Sequence, residues 1–446
     1  MQRLFVMSFW AAFTMAVVLI IARYEAGSLE IGPSSLFALA VLGLWGGLSL
    51  ASWWAVRKGR REIAGKMWLA ATAFMMPYIV LDIGLGMIMI ERLSPAMIHD
   101  DTVHHRLLPN TLSEINTSEF QYVQRVNRAG LRGAEVSSQK ASGVYRILVL
   151  GDSFTMGKGV HDSKTFSVIL QEMLNVDSGD PESGRFEVLN GGVDSYSPVL
   201  CYLRLKQLEP LLHPDFVVVN FDISDLLQES AYRSTARFSK DGEILGVTGT
   251  NKEIAGPEQS LIQGMRAWIR QHLFFTRSLV YWLDGLNERD SAATVHNTVE
   301  MAHPDLLRHT LEEDTADRGA QWNNVFDSLR RIRQYCDSRQ IRFAMAIYPW
   351  GHQVNDTEWS AGRRLFIPDG SKVSDRSVSR IEAFAADENI SLLNTYAAFR
   401  NYSGSVPLYY ARDMHWTEAG HRLMASEMKK FLADNFITRH QAIGRE

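Results

Sequence analysis

Three long apolar runs occupy the first 90 residues of the chain. They cover residues 4–22, 31–56 and 67–90, and Asp82 is the single charged residue inside them. About 20 apolar residues in a helix are enough to span the hydrocarbon core of a bilayer. Buried core helices, the alternative interpretation, would carry polar faces at helical spacing, and these runs have none. The pattern therefore predicts a membrane domain of three transmembrane helices over residues 1–90.

From residue 141 onward, short strand-like runs alternate with helical segments. The runs are apolar or β-branched and lie at residues 145–150, 186–190, 216–220, 341–347 and 390–393; the helical patterns lie at 164–174, 199–212, 322–338 and 377–386. This alternation is typical of a parallel sheet with helices on both faces. We predict a three-layer α/β/α domain over residues 141–437, whose active site lies at the carboxyl ends of the strands.

Two segments fall outside the alternation. Residues 91–140 are polar and mixed, and they read as a linker that packs on the domain that follows. Residues 226–320 form an insertion with a polar stretch, an aromatic helical piece and an acidic segment. An insertion of this length could be a lid, a substrate wall or a partner surface, and the sequence leaves these three open.

Charge is unevenly distributed along the chain. The whole chain has 46 basic and 50 acidic residues and a net charge of −4, so it lacks the basic surplus of a nucleic-acid-binding protein. The membrane domain is basic, and the loop with Arg57, Lys58, Arg60 and Arg61 joins its second and third helices. The positive-inside rule puts that loop in the cytoplasm. We therefore predict a multi-pass protein of the bacterial inner membrane with an extracytoplasmic catalytic domain, an orientation that holds even if the first run is a cleaved signal peptide.

Ionisable and sulfur-containing residues narrow the chemistry further. Asp82 inside the third run is either a functional group or a residue that reaches the interface or a partner helix. Only two cysteines are present, so a disulfide scaffold and a four-cysteine zinc site are excluded, although one bridge between Cys201 and Cys336 is allowed. His104 and His105 lack the spacing of a metal site.

Two short segments point to nucleophilic catalysis. The sequence GDSFTMG at residues 151–157 directly follows the first predicted strand, where Ser153 can present its hydroxyl above the sheet. The sequence RDMHWTEAGH at residues 412–421 precedes the last helix and supplies His415 as a general base, with Asp413 as the group that orients it. Each segment alone is a weak signal, since GDS and Asp-x-His occur by chance in many loops.

Taken together, these segments resemble the SGNH/GDSL hydrolase family over about residues 140–435. The resemblance implies that Ser153 is the nucleophile, Asp413 the orienting acid and His415 the base. The family's second block matches NGGVDSY at residues 190–196, with Gly192 in the oxyanion or substrate region and Ser195 where the family has an oxyanion glycine.

The third and last blocks depart from the family's usual pattern. The third block falls on DISD at residues 222–225, where Ser224 replaces the family's oxyanion asparagine, and Asn220 is a possible substitute donor or merely a polar strand end. The last block has Asp-x-His instead of Asp-x-x-His and continues with Trp416, a variant that resembles the alginate acetylation proteins of the same superfamily. The shorter spacing leaves the role of Asp413 open.

The resemblance implies a membrane-anchored serine esterase or O-acyltransferase. Its substrates would be acyl esters, in particular acetyl esters, of an extracytoplasmic glycan, and a membrane-bound O-acyltransferase is a possible partner. No metal or organic cofactor is needed for this chemistry. The alternative is a catalytically impaired glycan-binding or scaffold subunit. His352 either lines the site or is a loop residue, and we expect His421 to pack at the last helix.

Overall fold

The computed structural model describes residues 33–89, 97–116, 119–177, 185–248 and 307–437, together with residues 265, 268, 269, 272–277 and 279. The chain divides into two compact units. The first comprises Met1–Leu93, Asn116–Ser118 and Pro257–Ala293, and the second comprises Ser94–Ile115, Glu119–Gly256 and Thr294–Glu446. The predicted first transmembrane run, residues 4–22, lies outside the described residues.

Two long apolar helices occupy the described part of the first unit. They are α1, Pro33–Arg57, and α2, Arg61–Met89. Both are long and apolar enough to cross a membrane. Next to the tight connection between them, the guanidinium of Arg57 lies 4.0 Å from the ring centroid of Trp53. The second and third predicted runs are therefore helical, while their crossing of a membrane stays a prediction.

The second unit contains eleven strands and ten α-helices among its described residues. The strands are β1 Met97–Asp100, β2 His104–Leu107, β3 Thr111–Asn116, β4 Gln121–Val126, β5 Val144–Leu150, β6 Arg185–Asn190, β7 Phe216–Phe221, β8 Ala236–Phe238, β9 Ile244–Val247, β10 Arg342–Ile347 and β11 Ser391–Asn394. The helices are α3 Ser153–Met156, α4 Phe166–Asp177, α5 Pro198–Leu212, α6 Asp225–Ser234, α7 Gly319–Ser338, α8 Gly351–Val354, α9 Ser360–Phe366, α10 Arg376–Asp387, α11 Tyr396–Arg400 and α12 Glu418–Leu432.

Five of the strands form one parallel sheet in the order β11-β10-β7-β5-β6. Alternate residues of each strand face opposite layers. Ile147 and Val149 pack in the core shared with α4 and α12, whereas Leu148 and Leu150 pack in the core shared with α5, α7 and α10. The predicted three-layer α/β/α arrangement with a central parallel sheet is thus observed.

The strand order places a topological switch point beside β5. From β5 the chain passes through α4 to β6 on one side, and then through α5 to β7 on the other side. Because the two connections cover opposite faces, a crevice opens at the carboxyl ends of β5 and β7. Ser153 follows β5 and Ser224 follows β7, so both predicted site residues lie at this crevice.

Segments outside the sheet also have defined structure. The predicted linker contains β1 to β4, in two two-stranded sheets. The polar beginning of the predicted insertion contains α6, β8 and β9, and Ile244 and Val247 of β9 are buried in the core on the α5 side of the sheet. Cys201 and Cys336 are buried in the same core as free thiols and form no disulfide.

Candidate active site

A short helical turn at the carboxyl end of β5 carries Ser153. Asp152 caps α3, because its Oδ1 accepts a hydrogen bond of 2.9 Å from the backbone N–H of Phe154. Gly151 must lack a side chain, since a Cβ there would lie 2.3 Å from Oγ1 of Thr155. The turn ends at Gly157 in the left-handed conformation, with φ of 93°. The GDSFTMG segment therefore builds a tight strand-to-helix turn that fixes the serine at the sheet edge.

Ser153, His415 and Asp413 form one chain of hydrogen bonds. Oγ of Ser153 lies 2.6 Å from Nε2 of His415, and Nδ1 of His415 lies 2.5 Å from Oδ1 of Asp413. All three side chains are buried, with Ser153 1% and His415 0% exposed. An imidazole whose Nδ1–H is held by a carboxylate presents its Nε2 lone pair to the hydroxyl, which is the arrangement needed to remove the hydroxyl proton.

The two-residue spacing in Asp-x-His allows Asp413 to hold His415 twice. Oδ1 of Asp413 also accepts a hydrogen bond of 2.9 Å from the backbone N–H of His415. Burial works to raise the pKa of Asp413, but the charge and hydrogen bonds of His415 outweigh it, with help from the charge of Lys158, and the pKa lies well below its usual range. Asp413 therefore stays ionised at neutral pH.

A half-buried carboxylate from the predicted linker holds the loop that carries Asp413. The side chain of Glu119 accepts hydrogen bonds from the backbone N–H groups of Arg412, at 2.9 and 3.0 Å, and of Asp413, at 2.6 Å. Behind the loop, Thr417 caps α12 and Trp416 is fully buried. The histidine loop is thus fixed from both sides, and Glu119 is a residue that sequence reasoning missed.

The second block positions backbone groups beside the nucleophile turn. Gly192 packs so closely that an added Cβ would lie 2.2 Å from the backbone nitrogen of Met156, and its own N–H donates to Oδ1 of Asn190 over 3.1 Å. Gly192 therefore serves close packing, and its N–H is engaged within the loop. Ser195 has φ of 59°, a left-handed conformation that glycine adopts more readily than other residues.

His105 fixes the peptide that leads into Ser195. Its Nε2 lies 2.7 Å from the carbonyl oxygen of Asp194, so the ring donates a hydrogen bond there. Because the peptide is planar and trans, the N–H of Ser195 points away from that carbonyl and from His105. Burial lowers the pKa of His105 to about 4, so the ring is neutral at pH 7. The hydroxyl of Tyr196 in turn donates to the carbonyl of His105 over 2.6 Å.

A second carboxylate lies in the electrostatic neighbourhood of His415. Asp194 forms an ion pair of 3.4 Å with Lys158. Burial works to raise the pKa of Asp194, but the charges of Lys158 and His415 outweigh it and hold the pKa below its usual value. No residue type or spacing in the sequence predicted the ion pair of Lys158 and Asp194, or the hydrogen bond of His105 to the carbonyl of Asp194.

Ser224 in the third block and Asn220 just before the block both direct their side chains to other groups of the protein. The hydroxyl of Ser224 donates its only proton to Oδ1 of Asp222 over 2.6 Å. Nδ2 of Asn220 donates to Oγ1 of Thr155 over 2.8 Å. Both side chains are buried, Ser224 at 0% and Asn220 at 2% exposure. Both predicted side-chain oxyanion donors are therefore engaged inside the protein, because β7 and the loop that follows it turn these groups toward other polar side chains.

The remaining histidines of interest have structural partners. His352 is buried, and its Nε2 lies 2.9 Å from Oγ1 of Thr310. His421 in α12 stacks on Phe166 with 7° between the ring planes, which agrees with its expected packing role. Arg132, in the predicted linker, donates to the carbonyls of Met156 and Gly157 and so holds the end of α3.

Comparison with known proteins gives structural likeness alone. No protein-family model matches the chain, and no curated protein matches it. Similar solved structures include the crystal structure of TesA, at 12% identity and a TM-score of 0.34, covering 64% of this chain and 97% of that one. The esterase EstA from Pseudoalteromonas sp. shares 13% identity, a TM-score of 0.32, and coverage of 65% and 97%.

A third similar structure is a catalytic mutant of an acetylxylan esterase from Geobacillus stearothermophilus. It shares 14% identity and a TM-score of 0.32, and the match covers 66% of this chain and 96% of that one. Other similar structures carry the G-D-S-L description in their names. At these identities and scores, the assignment of chemistry rests on the geometry around Ser153.

Proposed function

We propose that the chain is a membrane-anchored serine esterase or O-acyltransferase. The observation that carries this proposal is the 2.6 Å distance between Oγ of Ser153 and Nε2 of His415, together with the carboxylate of Asp413 on the other ring nitrogen. In the proposed reaction, His415 accepts the proton of Ser153 as its Oγ attacks an ester carbonyl. The imidazolium then gives the proton to the leaving alcohol, and an acyl-enzyme remains.

The tetrahedral intermediate needs hydrogen-bond donors for its oxyanion. We assign this role to the backbone N–H groups of Ser153 and Ser195. Ser153 supports the assignment because it is the first residue of α3, where backbone N–H groups have no acceptor within the helix. Ser195 supports it because His105 orients its peptide. Side-chain donation by Ser224 would require its hydroxyl to leave Asp222.

The acyl group then passes to water or to a sugar hydroxyl. We propose acetyl esters of an extracytoplasmic glycan as the substrate class, on the basis of the Asp-x-His-Trp variant in the last block. The proposed partner is a membrane-bound O-acyltransferase that moves acyl groups across the bilayer. It would bind this chain through the apolar helices. Both substrate and partner are inferences from the resemblance in sequence.

The full-length protein in detergent tests the activity. With p-nitrophenyl acetate we expect hydrolysis by the wild type and by Ser379→Ala, an exposed serine on α10, and none by Ser153→Ala. Adding oligosaccharides with the acyl donor separates the acceptors, since a transferase adds acyl mass to the sugar and an esterase releases only free acid. Equal turnover in Ser153→Ala and the wild type would refute the proposal that the chain is a serine esterase or acyltransferase.

Membrane location and orientation are part of the proposal. Two long apolar helices and the basic connection between them support it. A C-terminal fusion to a reporter that is active only in the cytoplasm should be silent, and a fusion after residue 60 should be active. The reverse pattern would overturn the orientation.

A non-catalytic scaffold or glycan-binding subunit is the second candidate. The observation in its favour is that both predicted side-chain oxyanion donors, Ser224 and Asn220, donate hydrogen bonds to other protein groups. This candidate predicts glycan binding that is unchanged in Ser153→Ala, and no ester turnover in any variant.

A further inference from the structure

Asp82, the charged residue inside the third apolar run, has partners from the predicted insertion. Its Oδ1 accepts hydrogen bonds from the backbone N–H of Phe275, at 2.5 Å, and of Thr276, at 3.4 Å. Its Oδ2 accepts from Oγ1 of Thr276 at 2.5 Å. Residues 274–277 are helical, so the carboxylate caps the N-terminal turn of this piece from a different helix.

The contact between this segment and α2 is close along one face. A Cβ at Gly86 would lie 2.1 Å from the carbonyl oxygen of His272, whereas a Cβ at Gly84 would meet nothing within 4 Å. Tyr78 adds a hydrogen bond of 2.8 Å to Oγ1 of Thr276. Gly86 therefore allows the two backbones to approach each other, as small residues do where helices pack in membranes.

An apolar cluster surrounds the capped turn. The ring of Phe275 is fully buried and lies 4.9 Å from the ring of Phe37 of α1, centroid to centroid. Phe274 and Leu279 are buried in the same cluster. At the other end of the segment, Met265 and Trp268 are 57% and 51% exposed. The segment thus contacts both apolar helices and leaves large apolar side chains uncovered.

Helix geometry gives the depth of this contact. Asp82 lies seven residues before Met89, the end of α2, which is about 10 Å along the helix axis at about 1.5 Å per residue. The hydrocarbon core of a bilayer is about 30 Å thick. If α2 crosses the membrane, a segment seated at Asp82 and Gly86 lies inside one leaflet. An unpartnered carboxylate there would be energetically costly, and the hydrogen bonds from the segment offset part of that cost.

We propose that the described part of the insertion, residues 265, 268, 269, 272–277 and 279, forms an additional membrane-embedded segment. It packs on α1 and α2, is capped by Asp82, and has its exposed side chains in the outer leaflet. The face of the segment that the protein leaves exposed contacts lipid. Its sequence suits that boundary, because Arg266, Arg270 and Arg277 alternate with aromatic and aliphatic residues. The proposal rests on the proposed membrane location of α1 and α2.

Site-directed fluorescence on the full chain in lipid vesicles tests this proposal. A single cysteine carrying an environment-sensitive dye replaces Trp268, and quenching by nitroxide lipid is compared with quenching by aqueous iodide. The native thiols are buried, so the unsubstituted chain should take up no dye. We expect lipid quenching at least about threefold stronger than iodide quenching at position 268. A dye at the exposed Asp369 of the second unit should show the reverse.

Variants at the contact between α2 and this segment provide matched controls. Gly86→Ala should shift the dye at 268 toward iodide, while Gly84→Ala should leave it unchanged, because only the first adds an atom against His272. Asp82→Leu should produce the same shift, and Asp82→Asn should not, since its side-chain oxygen can still accept from the N–H groups of 275 and 276.

A dye at Val80, which is 67% exposed on α2, separates two kinds of failure. Lipid quenching at 80 combined with iodide quenching at 268 would overturn the embedded segment and leave the membrane helices intact. Iodide quenching at both positions would overturn the membrane location itself. Equal effects of Gly86→Ala and Gly84→Ala would contradict the close contact between Gly86 and the segment.

Discussion

Asp413 and Asp194 are two carboxylates near one imidazole, and the structure assigns them different partners. Asp413 holds the ring nitrogen and the backbone of His415, whereas Asp194 is paired with Lys158. We predict that Asp413→Asn lowers kcat for an ester by about 10³–10⁴-fold, because an amide can stabilise the wrong tautomer and carries no charge for the imidazolium. Asp194→Asn, the matched control, should lower kcat much less.

Measuring kcat and the thermal midpoint of both variants checks this prediction. The fold of Asp413→Asn should survive, since its side-chain oxygen can still accept from the N–H of His415. A larger loss in Asp194→Asn than in Asp413→Asn would show that the orienting acid has been misassigned.

His105 is predicted to be a positioning residue that acts through the Asp194–Ser195 peptide. His105→Leu removes the donor to the carbonyl of Asp194. It should lower kcat by at least about 10-fold, and by at most the roughly 10²–10³-fold that the loss of one oxyanion donor costs, with little change in KM. His105→Gln keeps an N–H donor and should restore most of kcat. Steady-state kinetics with a thermal midpoint for each variant is the measurement. Equal losses in the two variants at equal stability would contradict the positioning role.

At the scale of elements, one buried carboxylate joins three helices of the second unit. Glu229 in α6 accepts hydrogen bonds from Ser197 and Val199 at the start of α5, both at 2.8 Å, and from Ser328 of α7, at 2.5 Å. Burial raises the pKa of Glu229 from 4.5 to about 7. Between these values the folded chain holds a proton that the unfolded chain lacks, so stability falls as pH rises through this window.

We predict that Glu229→Gln flattens this part of the stability profile. The wild type should lose on the order of 3 kcal/mol more than the variant between pH 5 and pH 8, because glutamine is neutral throughout. Denaturant unfolding of the full chain at several pH values gives the difference, and other titrating groups cancel in the comparison. Parallel profiles would contradict the pKa and its cause.

The elements also show which features the sequence reveals. The β5 strand and the GDS turn were predictable because a continuous apolar run, a capping Asp152 and Gly151 act over a few neighbouring positions. The directions of the Ser224 and Asn220 side chains were not, since their partners Asp222 and Thr155 are chosen by how β7 meets α3 in space. Glu119 was missed for the same reason, as it lies almost 300 residues from the loop that it holds.

At the scale of the whole molecule, the uneven charge and hydropathy predicted two parts of different character. Each part is built from contacts between distant segments. The aromatic piece of the insertion belongs to the unit of the apolar helices, while α6, β8 and β9 belong to the sheet domain. The helical pattern of the aromatic piece was visible in the sequence. Its contact with Asp82 was not, because nothing in the sequence indicates which backbone groups a single carboxylate will cap.

The central claim is that Ser153 is a nucleophile activated by His415. Intact-protein mass spectrometry of the full chain after treatment with a fluorophosphonate, followed by peptide mapping, tests it most directly. The account predicts a single adduct on the peptide that contains Ser153, absent in Ser153→Ala and formed much more slowly in His415→Ala. No adduct in the folded wild type, or the same adduct in Ser153→Ala, would contradict it.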